Sequence, residues 1–140
     1  MGANYAQNVK PRLSMGEAVA NVFKNYANFK GRARRSEYWW FIVFNSLVVM
    51  FLNLIVQPIA ASNPESMFVI GLALLLYLAY LVGMIIPCWA VTIRRLHDIG
   101  KSGWWWLISL IPIVGSLVLL VWSCQDSDVC ENKYGPSPKY

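Results

Sequence analysis

The sequence predicts an all-α membrane protein: an N-terminal amphipathic interfacial helix and three transmembrane helices, the third kinked at Pro112. Three observations predict it. Of 140 residues, 57% are hydrophobic and only 14% charged, with a positive mean hydropathy, a balance that soluble domains of this size rarely show. The apolar residues fall in three long blocks separated by short polar segments. The basic residues flank those blocks instead of forming a stripe over a soluble surface, so the net charge of +5 points to a lipid bilayer with anionic headgroups and not to nucleic acid.

Residues 1–140 read as a single membrane domain. Residues 1–13 are polar, basic and without period, which predicts a flexible tail. Ser14-Met15-Gly16-Glu17 fits a capping box and opens an amphipathic helix over residues 14–31, with Met15, Val19, Val22, Tyr26 and Phe29 on one stripe and Gly31 as the stop. That stripe suits either the headgroup region or the flank of the transmembrane bundle, and the membrane surface is the preferred placement. The first apolar span begins near Tyr38, too far along the chain for a signal peptide, so no N-terminal cleavage is expected.

The first span covers residues 38–57, twenty uncharged residues making about 30 Å of helix. Asn45, Asn53 and Gln57, with Ser46 beside them, share a face that should look inward and hydrogen-bond between helices. Pro58 is expected to end it. Ser62-Asn63-Pro64-Glu65 then makes a turn in which Asn63 caps the next helix and Pro64 lies in its first turn. The second span, residues 64–93, is longer than a bilayer core needs, so it should tilt or bend at Pro87, where Gly83 leaves room four residues earlier. Ala79, Gly83 and Pro87 form a slim face suited to close helix contact. The third apolar segment, residues 104–123, is barely long enough for one crossing. A single helix kinked at Pro112 is therefore preferred over a re-entrant hairpin.

Basic residues orient these spans. Lys10, Arg12, Lys24, Lys30, Arg32, Arg34 and Arg35 precede the first span, Arg94, Arg95 and Lys101 follow the second, and none lies between them. The N-terminus should be cytoplasmic and the tail, residues 124–140, periplasmic. Tyr38-Trp39-Trp40 and Trp104-Trp105-Trp106 then share the cytoplasmic interface, where amphipathic rings anchor helices. Of the three cysteines, Cys124 and Cys130 can pair in an oxidising compartment; none has metal-binding spacing, and no cofactor or metal is expected.

Two segments concentrate charge at that interface: Arg32, Arg34, Arg35 and Glu37 before the first span, and Arg94, Arg95, His97, Asp98 and Lys101 after the second. Asp98 stands where the second helix should be ending, so it opposes the negative end of the helix dipole and needs a cationic partner. Arg94 precedes it in the less favourable order. The expected pairs are therefore Asp98 with Arg34 or Arg35, and Glu37 with Arg94 or Arg95, with separate solvation by headgroups as the alternative.

These segments resemble a bacterial inner-membrane family typified by YhaH and YhaI, domain of unknown function 805. The resemblance rests on an F-x-G-R-x-x-R-x-E-[FY]-W run matched from Phe29 to Trp39, an R-R-L-H-D-x-G-x-S-G-W-W run matched from Arg94 to Trp105, and Asn132-Lys133-Tyr134-Gly135-Pro136 with Pro138 in the tail. It covers nearly everything after residue 14. It implies a multi-pass inner-membrane protein and no established activity.

The residues themselves argue against an enzyme. Glu37, His97 and Asp98 are the proton-transfer groups near one another, and no nucleophile elbow, P-loop, metal set or dinucleotide fingerprint accompanies them. The spans carry no ionisable residue away from their ends, which disfavours a solute pathway. His97 as a pH sensor is weaker than His97 as a simple hydrogen-bonding group. Two classes remain. The preferred one is a structural or interaction protein held by the charged cluster, with a membrane protein or a second copy as partner. The other is a binding module for anionic lipid or another phosphate ligand; the same arginines also serve as topology determinants that snorkel to the interface.

Overall fold

Ser14 opens the first helix through a complete capping box: the Glu17 N–H donates to Ser14 Oγ at 3.4 Å and the Ser14 N–H to Glu17 Oε2 at 2.8 Å. In the computed structural model, which describes residues 9–62 and 65–140, this helix is α1 (Met15–Lys24). It is followed by α2 (Arg35–Ser62), α3 (Met67–Asp98), a 3-10 helix (Gly103–Leu110) and α4 (Val114–Cys124). An isolated antiparallel bridge joins Asn132 and Gly135. The roles expected of residues 1–8 and of Asn63 and Pro64 lie outside the described residues. Residues 9–13, expected to belong to a flexible tail, are tied down. The Lys10 N–H donates to the Lys139 carbonyl at 2.9 Å, the Pro11 carbonyl accepts from Arg34 at 2.7 Å, and the Leu13 N–H reaches Ser36 Oγ at 3.4 Å.

Helix α1 is shorter than its periodicity predicts. It ends at Lys24, where both the backbone and the side-chain amide of Asn25 donate to the Asn21 carbonyl, and Gly31 instead takes a left-handed φ of 82° in the link to α2. Its apolar stripe packs on the bundle, the second of the two expected placements. Val22 is fully buried with Ala33, Phe41, Met84 and Val91, and Phe23 meets Phe41 edge to face at 6.2 Å. This core binds α1, the link, α2 and α3 at one end of the molecule.

Helices α2 and α3, of 28 and 32 residues, measure about 42 and 48 Å, and both are long and apolar enough to cross a bilayer. Helix α2 runs through Pro58 to Ser62 instead of stopping there. A proline so near the end removes one backbone donor, and Ser62 Oγ bonds the Pro58 carbonyl at 2.7 Å. Two of the inward polar residues bridge the helices: Tyr80 OH donates to Asn45 Oδ1 at 2.8 Å, and Asn53 Nδ2 lies 3.5 Å from Tyr77 OH. Ser46 and Gln57 are exposed. Helix α3 continues past the predicted end at 93 and carries Arg94, Arg95, His97 and Asp98 on its final turns. Pro87 inside it has no N–H for the Gly83 carbonyl, and Tyr26 OH donates to that carbonyl.

Residues 104–123 do not form the single kinked helix predicted for a third crossing. The 3-10 helix and α4 each measure about 16 Å, half of a bilayer core, and they fold back on one another. The chain reverses over residues 111–113, with the Ile111 N–H on the Ile108 carbonyl at 3.0 Å and Ile113 at φ 65°. Pro112 lies in this reversal instead of kinking one helix. A Cβ on Gly115 would stand 1.7 Å from the Ile108 carbonyl oxygen, so the two arms approach at a distance that only glycine permits. Trp105 and Trp122 close the hairpin edge to face at 5.7 Å. Both of its ends are anchored at the foot of α3: Gly103 lies against Ile93 and His97, and the Ser123 carbonyl accepts from Arg95. The tail therefore returns to the end of the molecule that carries the N-terminal segment. Cys124 and Cys130 are both free.

Candidate functional site

Asp98 closes α3 with no exposed surface, its charge facing the negative end of its own helix. Three donors compensate it. Arg32 Nε lies 3.0 Å from Oδ1, while Arg95 Nη1 and Ser127 Oγ, the latter at 2.5 Å, donate to Oδ2. The partner from the link is thus Arg32 and not Arg34 or Arg35. Arg34 is drawn away to the carbonyls of Pro11 and Lys10, and Arg35, an exposed residue, bonds the Cys124 carbonyl at 3.2 Å and Asp126 at 3.4 Å.

Arg32 uses every donor it has. Besides Nε on Asp98, Nη1 bonds the carbonyls of Cys130 and Gly135 at 3.0 and 3.2 Å, and Nη2 bonds those of Asp98 and Asp128 at 3.1 and 2.6 Å. Such a planar fork suits a guanidinium and not an ammonium. Arg95 reaches the carbonyls of Ser123, Ala33 and Gln125 in addition to Asp98. Glu37 pairs with Arg94 Nη1 at 2.8 Å, one of the two expected pairings, and both side chains are buried. Arg94 Nε and Nη2 bond no described residue, while its carbonyl accepts the Ala33 N–H at 3.0 Å.

His97 is held on three sides. Its Nδ1 lies 3.2 Å from the Gly31 carbonyl, its ring stacks on Tyr134 at 3.7 Å and 6°, and its carbonyl accepts from Asn132 Nδ2 at 3.0 Å. Lys101 stands apart from the network, with Nζ 4.5 Å above the Trp122 ring. At the rim, the hydrogen bond from Lys139, at 2.6 Å, holds the Asp126 carboxyl below its usual range, and the same bond raises the Lys139 ammonium.

The three motifs are therefore one unit. The link before α2, the foot of α3 and the tail interlock through Arg32, Asp98 and His97. Sequence reasoning missed Ser127, Asp128, Asn132, Tyr134 and Gly135, although the Asn132-to-Pro136 run signalled the last three. A third crossing would have carried that run to the other side of the membrane. Three arginines against two carboxylates leave charge that is taken up by tail carbonyls. Buried pairs of this kind add little net stability, yet they penalise any arrangement that leaves one member alone.

The family described as "Protein of unknown function (DUF805)" matches residues 26–136. The chain is 41% identical over 118 residues to "Inner membrane protein YhaH" of Escherichia coli (strain K12), covering 84% of this chain and 93% of that protein. It is 40% identical over 121 residues to "Inner membrane protein YhaI" of the same strain, covering 86% and 93%. No solved structure matches.

Proposed function

Since this chain belongs to the DUF805 family, we propose that it is an inner-membrane protein of two crossings, α2 and α3, whose interfacial cluster is a structural staple for an interaction face. The observation that carries this reading is Arg32, all five of whose donors are directed at Asp98 and at backbone carbonyls within the chain. An external phosphate would have to break that set. The role is non-catalytic: Glu37, His97 and Asp98 hold segments of the chain together. The partner is a membrane protein or a second copy, meeting the apolar, exposed lengths of α2 and α3.

All twelve Lys and Arg lie outside the α2–α3 connection, so the positive-inside rule assigns both termini to the cytoplasm. A membrane-impermeant thiol reagent tests this in chains carrying either Cys130 alone or one cysteine at Ser102. Neither should label in intact spheroplasts, and both should label in inverted vesicles. Labelling of Cys130 from outside would overturn the two-crossing topology.

A second reading, binding of anionic lipid headgroups, is favoured by a different set of cations. A groove of about 980 Å³ beside α1 is lined by Lys10, Arg12, Arg34, Arg35, Trp39 and Trp40 as well as by Glu17 and Asp126, and the Lys10 and Arg12 side chains have no carboxylate partner among the described residues. Anionic phospholipid retained in nanodiscs and lost on Lys10→Gln with Arg12→Gln, the fold intact, would support it. Retention unchanged by those substitutions would leave the arginines with topology and stapling alone.

A further inference from the structure

We infer that a cleft at the foot of α3 is a binding site for a neutral aromatic amphiphile that carries a hydroxyl donor, with His97 Nε2 as the acceptor. The cleft, about 480 Å³, lies between α3, the link, the 3-10 helix and the tail, and its walls are Phe29, Trp89, Ile93, Trp104, Trp106 and Tyr134. Its size and apolar lining with few polar groups are those of a small-molecule site. Trp89 and Trp106 stand with ring centroids 4.8 Å apart on one side, and Tyr134 lies flat on the His97 ring.

The acceptor that His97 offers in this cleft, which Ser102 also lines, is fixed before any ligand arrives. His97 is only 8% exposed, and its Nδ1 faces the Gly31 carbonyl at 3.2 Å. A carbonyl only accepts, so Nδ1 carries the proton. No carboxylate pairs with the ring. That leaves Nε2 as a bare acceptor without a partner among the described residues. Nε2 faces Gly103, where a Cβ would stand 3.3 Å from it and 2.7 Å from Ile93 Cγ2. Glycine at 103 keeps the nitrogen reachable from the cleft that both residues line.

Charge decides between ligand classes. An anion finds no donor on Nε2, and a cation finds no carboxylate in the lining. A hydroxyl on a flat apolar body meets the acceptor and the rings together. Such amphiphiles also concentrate at the headgroup depth where interfacial tryptophans lie.

The chain has a single histidine, which gives a direct test. The full chain, labelled with heavy nitrogen in histidine and held in nanodiscs, is titrated with β-naphthol and separately with its methyl ether, which lacks the donor. Nδ1 should be the protonated nitrogen, β-naphthol should shift the Nε2 resonance saturably, and the ether should leave it in place. Gly103→Ala should weaken β-naphthol about tenfold, the loss of one hydrogen bond. A proton on Nε2, equal shifts from both compounds, or no saturable shift would each overturn the assignment. The wild-type comparison decides alone if the variant does not fold.

Discussion

Tyr26 donates its hydroxyl to the carbonyl of Gly83, the acceptor that Pro87 leaves without its helical donor. A tyrosine beyond the end of α1 thereby completes the backbone of α3. Tyr26→Phe should lower stability in mild detergent by about 1 kcal/mol. In a Pro87→Ala background the new N–H at position 87 can serve Gly83, so the same substitution should have much less effect. Equal losses in both backgrounds would refute the linkage.

Arg32 should not tolerate lysine. Arg32→Lys keeps the charge but loses the fork that joins Asp98 to four carbonyls, and about 3 kcal/mol should be lost, near the range for breaking a buried pair. Arg32→Gln and Asp98→Asn should be strongly less than additive, whereas Arg34→Gln, which bonds other acceptors, should add to Asp98→Asn. Unfolding of the four variants and the two doubles separates these outcomes.

Gly115 should be nearly irreplaceable. Gly115→Ala puts a methyl group 1.7 Å from the Ile108 carbonyl oxygen, so one arm of the hairpin must move, at the upper end of the 1–3 kcal/mol (roughly) seen for overpacking. Cys124, at the end of α4, is the reporter: its rate of modification by a thiol reagent should change with the variant while that of Cys88, inside α3, stays constant.

The rim should loosen in acid. The folded Asp126 is held below its usual range, so its contribution is present above the unfolded value near ~3.9 and fades as pH falls through the lower folded value. The Asp126 side chain is half exposed, so less than about 1 kcal/mol is at stake. The protection of the Lys10 amide, bonded to the Lys139 carbonyl and taken relative to its intrinsic exchange rate at each pH, should fall below about pH 4, and Lys139→Gln should bring that loss of protection to neutral pH. No difference between the two chains would sink the prediction.

The amino-acid sequence by itself determined what depends on local pattern. The capping box at Ser14 and Glu17 needs four consecutive residues, and the presence of α2 and α3 as long apolar helices follows from their apolar composition, although both run past the ends predicted at 57 and 93. The pairing of Glu37 with Arg94 was legible because charge accumulates at one depth on both sides of a two-helix unit. Tertiary structure decided the rest. Residues 104–123 have enough apolar length for one marginal crossing or two half-depth arms, and composition does not distinguish them. The close approach at Gly115 and the anchoring of both arms at the foot of α3 select the hairpin. Once the tail returns, its carbonyls become acceptors, and these draw Arg32, in place of Arg34 or Arg35, onto Asp98. Backbone carbonyls leave no mark in a sequence, since every residue has one, so which of them a buried arginine finds is settled only when the chain is folded.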